Sequence, residues 1–201
     1  MSAENKSDSS VLSGSCVYFK KTGKENTGKT LEAAAKRAEE LGIQNVVVAT
    51  TSGETGLMAA NIFTSKNLVL VTHSTGFVKP DYQEFLPEFR KKIEEAGAKI
   101  LTCQHAFGGV GRAVRKKLET YELEEIIAYA LRIFGEGTKV AVEIALMAAD
   151  AGLIPTGEPC ISVGGSDQGA DTAILLKPAH AQNFFDLRIM EILAKPRLEE
   201  L

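Results

Sequence analysis

Tryptophan is absent from this 201-residue chain, histidine and cysteine occur only three times each, and no charge of one sign dominates. Each shortage removes a class of function. Cys16, Cys103 and Cys160 are an odd number, widely spaced, with no CxxC pair and no histidine at ligand spacing. That argues against a disulfide framework or a zinc site. Cys16 and Cys160 read as small buried hydrophobes, whereas Cys103 ends a strand on the edge where a site is expected. A net charge of -3 and a pI of about 5.7 give no footprint for nucleic acid. No apolar run approaches the roughly 18 residues that span a bilayer, so no membrane partner is expected. The opening MSAENKSDSSVLSGS is polar and lacks the apolar centre of a signal peptide. A flexible tail over residues 1–15 and a cytoplasmic protein are the expectations.

What is present is an apolar fraction of 44% and a charged fraction of 24%, the balance of a soluble globular chain. The length suits one sizeable domain, expected over residues 16–201. The most informative stretch is Asn45–Gly56, NVVVATTSGETG. Three valines and an alanine read as a strand buried on both faces, and a hydroxyl-rich turn leads directly into a helix. Such a turn places free backbone N–H groups beyond the carboxyl edge of a parallel sheet, where anions bind. Thr50, Thr51, Ser52 and Thr55 add hydroxyls, Glu54 enters the first helical turn, and Gly53 permits close backbone approach. The segment is expected to grip a phosphate.

Strand and helix periods alternate on either side of it. Strands are expected at Cys16–Phe19, Asn45–Thr50, Leu68–His73 and Lys99–Cys103, with helices at Thr27–Leu41, Glu54–Thr64 and Asp81–Ala96 between them. Val110–Leu118, Leu123–Phe134 and Thr138–Ala151 follow as helices, an added helical segment near residues 106–152. Pro159–Val163 and Thr172–Leu176 then read as an antiparallel pair, and Asn183–Leu193 as a closing helix stopped by Pro196. Repeated βα units with continuous apolar strands predict a three-layer, doubly wound α/β domain. Its sheet would be mostly parallel, with a C-terminal antiparallel hairpin.

Residues 23–30, GKENTGKT, fit the phosphate-loop pattern GxxxxGK[ST] letter for letter. The preceding strand is short and separated from Gly23, and no other buried strand ends in an aspartate that could hold magnesium. Asn26 or Thr27 with Thr30 explains the segment as a helix N-cap. The nucleotidase reading is set aside, although Asn26 and Thr27 remain candidates to line a crevice at this edge.

His73, Ser74 and Thr75 follow the third strand and share that edge. His73 reads either as a capped structural residue or as a ligand contact. After the fourth strand, His105, Phe107, Gly108 and Gly109 could supply an aromatic face and backbone donors; a plain turn is the alternative, with Arg112, Arg115, Lys116 and Lys117 on a solvated helix face. In the last loop, Gly164, Gly165 and Gly169 permit a ligand-hugging course. Asp167, Asp171 and Thr172 could accept or donate hydrogen bonds, or hold the loop's own shape. Glu143, inside an apolar helix, is expected to be paired rather than catalytic.

The strand, the turn Thr50–Gly56 and its helix resemble the effector-binding loop of the pyruvate kinase C-terminal α/β domain. GEPCISVGGSDQGADTAILLKP is similar to that domain's last strands and Gly-rich loop, and the resemblance spans roughly residues 26–103 and 157–178. It implies a stand-alone protein of that type, binding a phosphorylated small molecule. Glu54 stands where the kinases usually carry Arg, and Gly164–Asp171 contains no Arg or Lys. One phosphate on a larger, partly apolar body therefore suits the site better than a sugar bisphosphate. The resemblance makes flavin mononucleotide the favoured ligand. The alternatives are a regulatory module that senses a sugar phosphate through homo-oligomer contacts, or an enzyme acting on a phosphorylated small molecule. Pyruvate kinase activity itself is not expected, because the catalytic barrel of that family needs roughly 250 residues and these 201 leave no room for one.

Overall fold

A computed structural model describes residues 12–198. The tail expected over 1–15 lies outside the described residues as far as residue 11. The seven strands are β1 (Val17–Phe19), β2 (Asn45–Ala49), β3 (Asn67–Val71), β4 (Lys99–Leu101), β5 (Cys160–Gly164), β6 (Thr172–Lys177) and β7 (Arg188–Pro196). They form one sheet in the order β1-β7-β6-β5-β2-β3-β4. β6 alone runs against its neighbours, pairing antiparallel with both β5 and β7. The other pairs are all parallel. The carboxyl ends of six strands and the amino end of β6 therefore meet at one edge.

Alternate residues of the central strands feed two cores. Val46, Val48, Leu68, Leu70, Ile161, Val163 and Leu175 face α1 (Thr27–Glu40), α2 (Glu54–Ile62) and α3 (Pro87–Glu95). Val47, Val69, Val71, Cys160, Ile174 and Leu176 face α6 (Glu136–Asp150). This is the period-2 pattern of strands buried on both sides. The three-layer α/β architecture expected from the sequence is present.

The helical stretch that looked added supplies the second layer. α6 covers β5, β2, β6 and β3, while α5 (Leu123–Arg132) lies on α6 and α4 (Val110–Leu118) on α5. Ala141, Ala145, Ala148 and Ala149 are wholly buried, and such small residues let the helix backbone approach the strands. Backbone meets backbone at Gly164, where a Cβ would lie 2.5 Å from the Gly137 carbonyl oxygen. Ser162 Oγ donates to the Ala141 carbonyl at 2.7 Å, so the one polar group on this strand is satisfied by the helix.

Three local expectations are overturned. The closing helix at Asn183–Leu193 is instead a 3-10 turn, Ala181–Asp186, followed by β7. Two register shifts against β6 interrupt the alternation of β7, which hid its strand period. The helix expected from Asp81 begins only at Pro87, whose missing N–H suits the first helical turn. Asp81 itself is left-handed, with φ 58°. Nor do Asn26 and Thr27 cap α1 through their side chains. Asn26 Nδ2 donates to Lys21 O, and Thr27 Oγ1 donates to Lys24 O while accepting the Ala170 N–H.

The phosphate-loop reading of residues 23–30 is excluded by placement. β1 is an edge strand, Lys29 is paired with Glu32 on the surface, and Thr30 is buried with its hydroxyl on Asn26 O and Ala170 O. The packing of α6 on β5 carries a prediction. Gly164→Ala should lower the unfolding free energy by about 1–3 kcal/mol, because the helix backbone would have to move. A urea titration that finds an unchanged midpoint would contradict this contact.

Candidate functional site

The turn between β2 and α2 holds itself together first. Thr50 Oγ1 accepts the Gly56 N–H at 3.2 Å and Ser52 Oγ the Glu54 N–H at 3.4 Å. These are two of the donors that a helix start leaves free. The N–H groups of Thr51, Ser52 and Gly53 have no hydrogen-bond partner among the described residues. Gly53 has φ 105°, and a Cβ there would lie 2.6 Å from Phe89 Cβ. Its glycine is thus required by the left-handed turn and by Phe89, not by a ligand.

Glu54 is paired. Lys24 Nζ, from a distant segment, lies 2.6 Å from its carboxylate. Lys24, Thr50, Thr51, Ser52, Glu54, Thr55, His73, Gly165, Asp167 and Gly169 all line an outer cavity of about 460 Å³. Thr50, Thr51 and His73 also line an inner cavity of about 230 Å³, where His105 joins them. The two hollows are therefore adjacent.

An aromatic stack walls the inner cavity. His73 lies on Phe77 at 4.2 Å, and Phe77 on His105 at 5.0 Å, between ring centres. His73 Nδ1 is 2.8 Å from Glu84, whose carboxylate fixes the ring and leaves Nε2 without a partner among the described residues. Gln83 reinforces this by donating to the His73 carbonyl. His105 is oriented differently. The Ser74 N–H donates to its Nε2 at 3.4 Å, which places the ring proton on Nδ1, 3.8 Å from Glu143 Oε2.

Glu143 is 3% exposed and holds the floor. It accepts from Lys139 Nζ at 2.6 Å and from the Phe107 N–H at 2.9 Å. Burial alone would raise its pKa; His105 and the charge and hydrogen bond of Lys139 outweigh burial and hold it at about 2. Arg132 and Glu136 form a second pair beside it. Cys103 is no activated nucleophile, since burial and then the Asp150 charge raise its thiol pKa. Cys160 is inert for the same first reason.

Other expected site residues lie elsewhere. Phe107 is 6% exposed and packs edge-to-face on Phe184 in the second core, so it offers no face to a ring. Asp171 and Thr172 are buried; Asp171 accepts from Thr172 Oγ1 and the Ser166 N–H, shaping the Gly-rich loop. Gly164 packs on α6, Thr27 ties α1 to that loop, Asn26 faces Lys21, and Thr75 is exposed. Ser74, Gly108 and Gly109 line a third hollow with His105. His180 sits on Asp150, outside the cavities.

The fold and the turn together agree with the family comparison. The model of the pyruvate kinase alpha/beta domain matches residues 28–176, well over half of the chain. The chain belongs to that family. The bounds of the match enclose α4–α6 as well as the segments flanking them. Among solved structures, an NH3-dependent NAD synthetase from Campylobacter jejuni subsp. jejuni NCTC 11168, in complex with the nitrate ion, is similar at 16% identity with a TM-score of 0.31. The match covers 55% of this chain and 47% of that one, and a likeness this distant carries no argument. No helix among the described residues is long and apolar enough to cross a membrane.

Sequence reasoning missed Lys24, Phe77, Glu84 and Lys139. Only the Lys139–Glu143 spacing, four residues apart on an apolar helix, carried a signal for a buried pair. Because Glu143 has its pKa lowered from 4.5 to about 2, its stabilisation is full above the higher value. It is lost as pH falls through the lower one. Glu143→Gln should cost about 3–5 kcal/mol at pH 7, since Lys139 is left buried and unpaired. Lys139→Met with Glu143→Leu should cost less, and both should flatten the acid limb of stability in urea titrations across that window.

Proposed function

We propose that this chain binds a phosphorylated small molecule at the carboxyl edge of its sheet, and that flavin mononucleotide is the ligand. One observation carries the reading: the hydroxyl turn Thr50–Thr55 and the aromatic stack His73–Phe77–His105 open onto adjoining cavities. A phosphate at the turn would meet the unpaired N–H groups of Thr51, Ser52 and Gly53 at the start of α2. The cavities of about 460 and 230 Å³ fall, taken together, within the usual range of ligand sites.

The charges argue against two phosphates, and a single one would be held by the main-chain donors of the turn rather than by a free cation. Glu54 is neutralised by Lys24, Glu84 is engaged by His73, and Asp167 adds a negative charge to the same hollow. A bisphosphate would bring more charge than these groups can balance. The ring system would extend toward the inner cavity, where Val140, Ile144 and Met147 provide apolar surface beside the stacked rings. A bound flavin would bring electron-transfer chemistry; the residues lining the two cavities would supply binding.

The His73–Glu84 pair favours a second reading, an enzyme acting on a phosphorylated small molecule. A carboxylate-oriented imidazole with Nε2 free is a competent proton acceptor. Any turnover of phosphorylated compounds that survives His73→Gln would remove that residue from the chemistry. For the primary reading, the purified protein should release flavin mononucleotide on denaturation, identified by mass spectrometry. Added flavin mononucleotide should raise the thermal midpoint, and Ser52→Ala with Thr51→Ala should reduce that shift. A colourless protein with no shift would refute the assignment.

A further inference from the structure

A third hollow of about 420 Å³ lies beside the inner cavity and shares Phe77, His105 and Arg112 with it. Its charge is unlike that of the outer cavity. Arg112 and Lys116 line it, and no Asp or Glu does, whereas Lys24 faces Glu54, Glu84 and Asp167 in the outer one. Lys116 follows Arg112 by one helical turn on α4, so the two side chains rise from the same face.

Arg112 is held for a purpose that its protein contacts do not explain. Its Nε is buried without a hydrogen-bond partner, and no carboxylate among the described residues pairs with it. Leaving a buried guanidinium donor unpaired is costly. The plane is nevertheless fixed, because the guanidinium carbon sits 4.6 Å from the centre of the Phe77 ring. Phe77 is itself packed against both histidines, whose ring centres lie 5.5 Å apart. Gly108 lets the guanidinium approach the loop backbone: a Cβ there would lie 2.7 Å from Arg112 Nη2. A rigid, unpaired fork of this kind is suited to an oxyanion.

We propose that the Arg112–Lys116 hollow is a second anion site, binding the dianionic phosphate group of a small molecule. Two cations with no opposing carboxylate balance two negative charges, which a phosphate monoester carries and a simple carboxylate does not. This assignment does not rest on the flavin reading: Arg112 also lines the inner cavity, but neither Arg112 nor Lys116 belongs to the Thr50–Thr55 turn. A molecule held here would place its body toward His105 and the inner cavity, so the trough would accommodate two phosphorylated ligands side by side or one long one.

The test is a titration of the full chain with inorganic phosphate at low ionic strength, read by calorimetry and by phosphorus NMR. Arg112→Gln with Lys116→Gln should weaken binding about tenfold or more, the size expected for losing charge-assisted hydrogen bonds. Lys116→Gln alone, at an exposed position that leaves folding intact, should weaken it several-fold. Acetate at the same ionic strength should bind at least about tenfold more weakly than phosphate. Thr51→Ala with Ser52→Ala, which tests the other site, should leave this phosphate affinity in place. The proposal is overturned if the wild-type chain binds no phosphate, if the Arg112 and Lys116 substitutions leave affinity unchanged, or if acetate binds equally well.

Discussion

Glu143 takes its partners from separate parts of the chain: Lys139 one turn earlier on α6, the Phe107 main chain after β4, and the His105 ring. A carboxylate with so little exposure is tolerable only while these groups stay in place, because an isolated buried charge is strongly disfavoured. The carboxylate therefore fastens the loop after β4 to the helix beneath it. His105 is then fixed against Phe77, and Phe77 in turn supports His73 and Arg112. The wall of the inner cavity depends on this single charge.

The sheet explains why the remaining parts arrive at the same place. Parallel βα units bring the ends of β2, β3 and β4 to one edge, and the reversal of β6 returns the Gly-rich loop to that edge. The alanines of α6 and the glycines at 137 and 164 let the second layer sit close under the crevice. Small residues here are a packing requirement, and the cavity floor is the result. Thr27 adds a cross-link by binding the Ala170 N–H, which ties the first helix to the loop over the outer cavity.

Much of this was readable from local pattern. β2, the turn into α2, and the antiparallel pair β5–β6 follow from apolar runs punctuated by Gly, Thr and Ser, since these signals are local. β7 was not readable, because its alternation is broken where it meets β6 and its burial comes from non-local neighbours. The site was legible in the same uneven way. Thr50, Thr51 and Ser52 lie on a continuous strand–turn–helix, whereas Lys24 and Glu84 reach the crevice from loops whose course is set by tertiary packing. Phe107, Asp171 and Thr172 have residue types suited to ligands, yet burial commits them to the protein itself.

The position of β7 bears on how the chain can assemble. Among the described residues β1 is hydrogen-bonded to no strand but β7, with Val17 opposite Ala194 and Phe19 opposite Pro196. β1 must therefore wait for β7, and its loop-closure entropy is met only when nearly all of the described chain is available. Until then β6 presents an open edge and α1 lacks the Glu191 carboxylate that engages Arg37. A nascent chain can form the β2–β3–β4 side of the sheet early, but the other side can be completed only once β7 has been made.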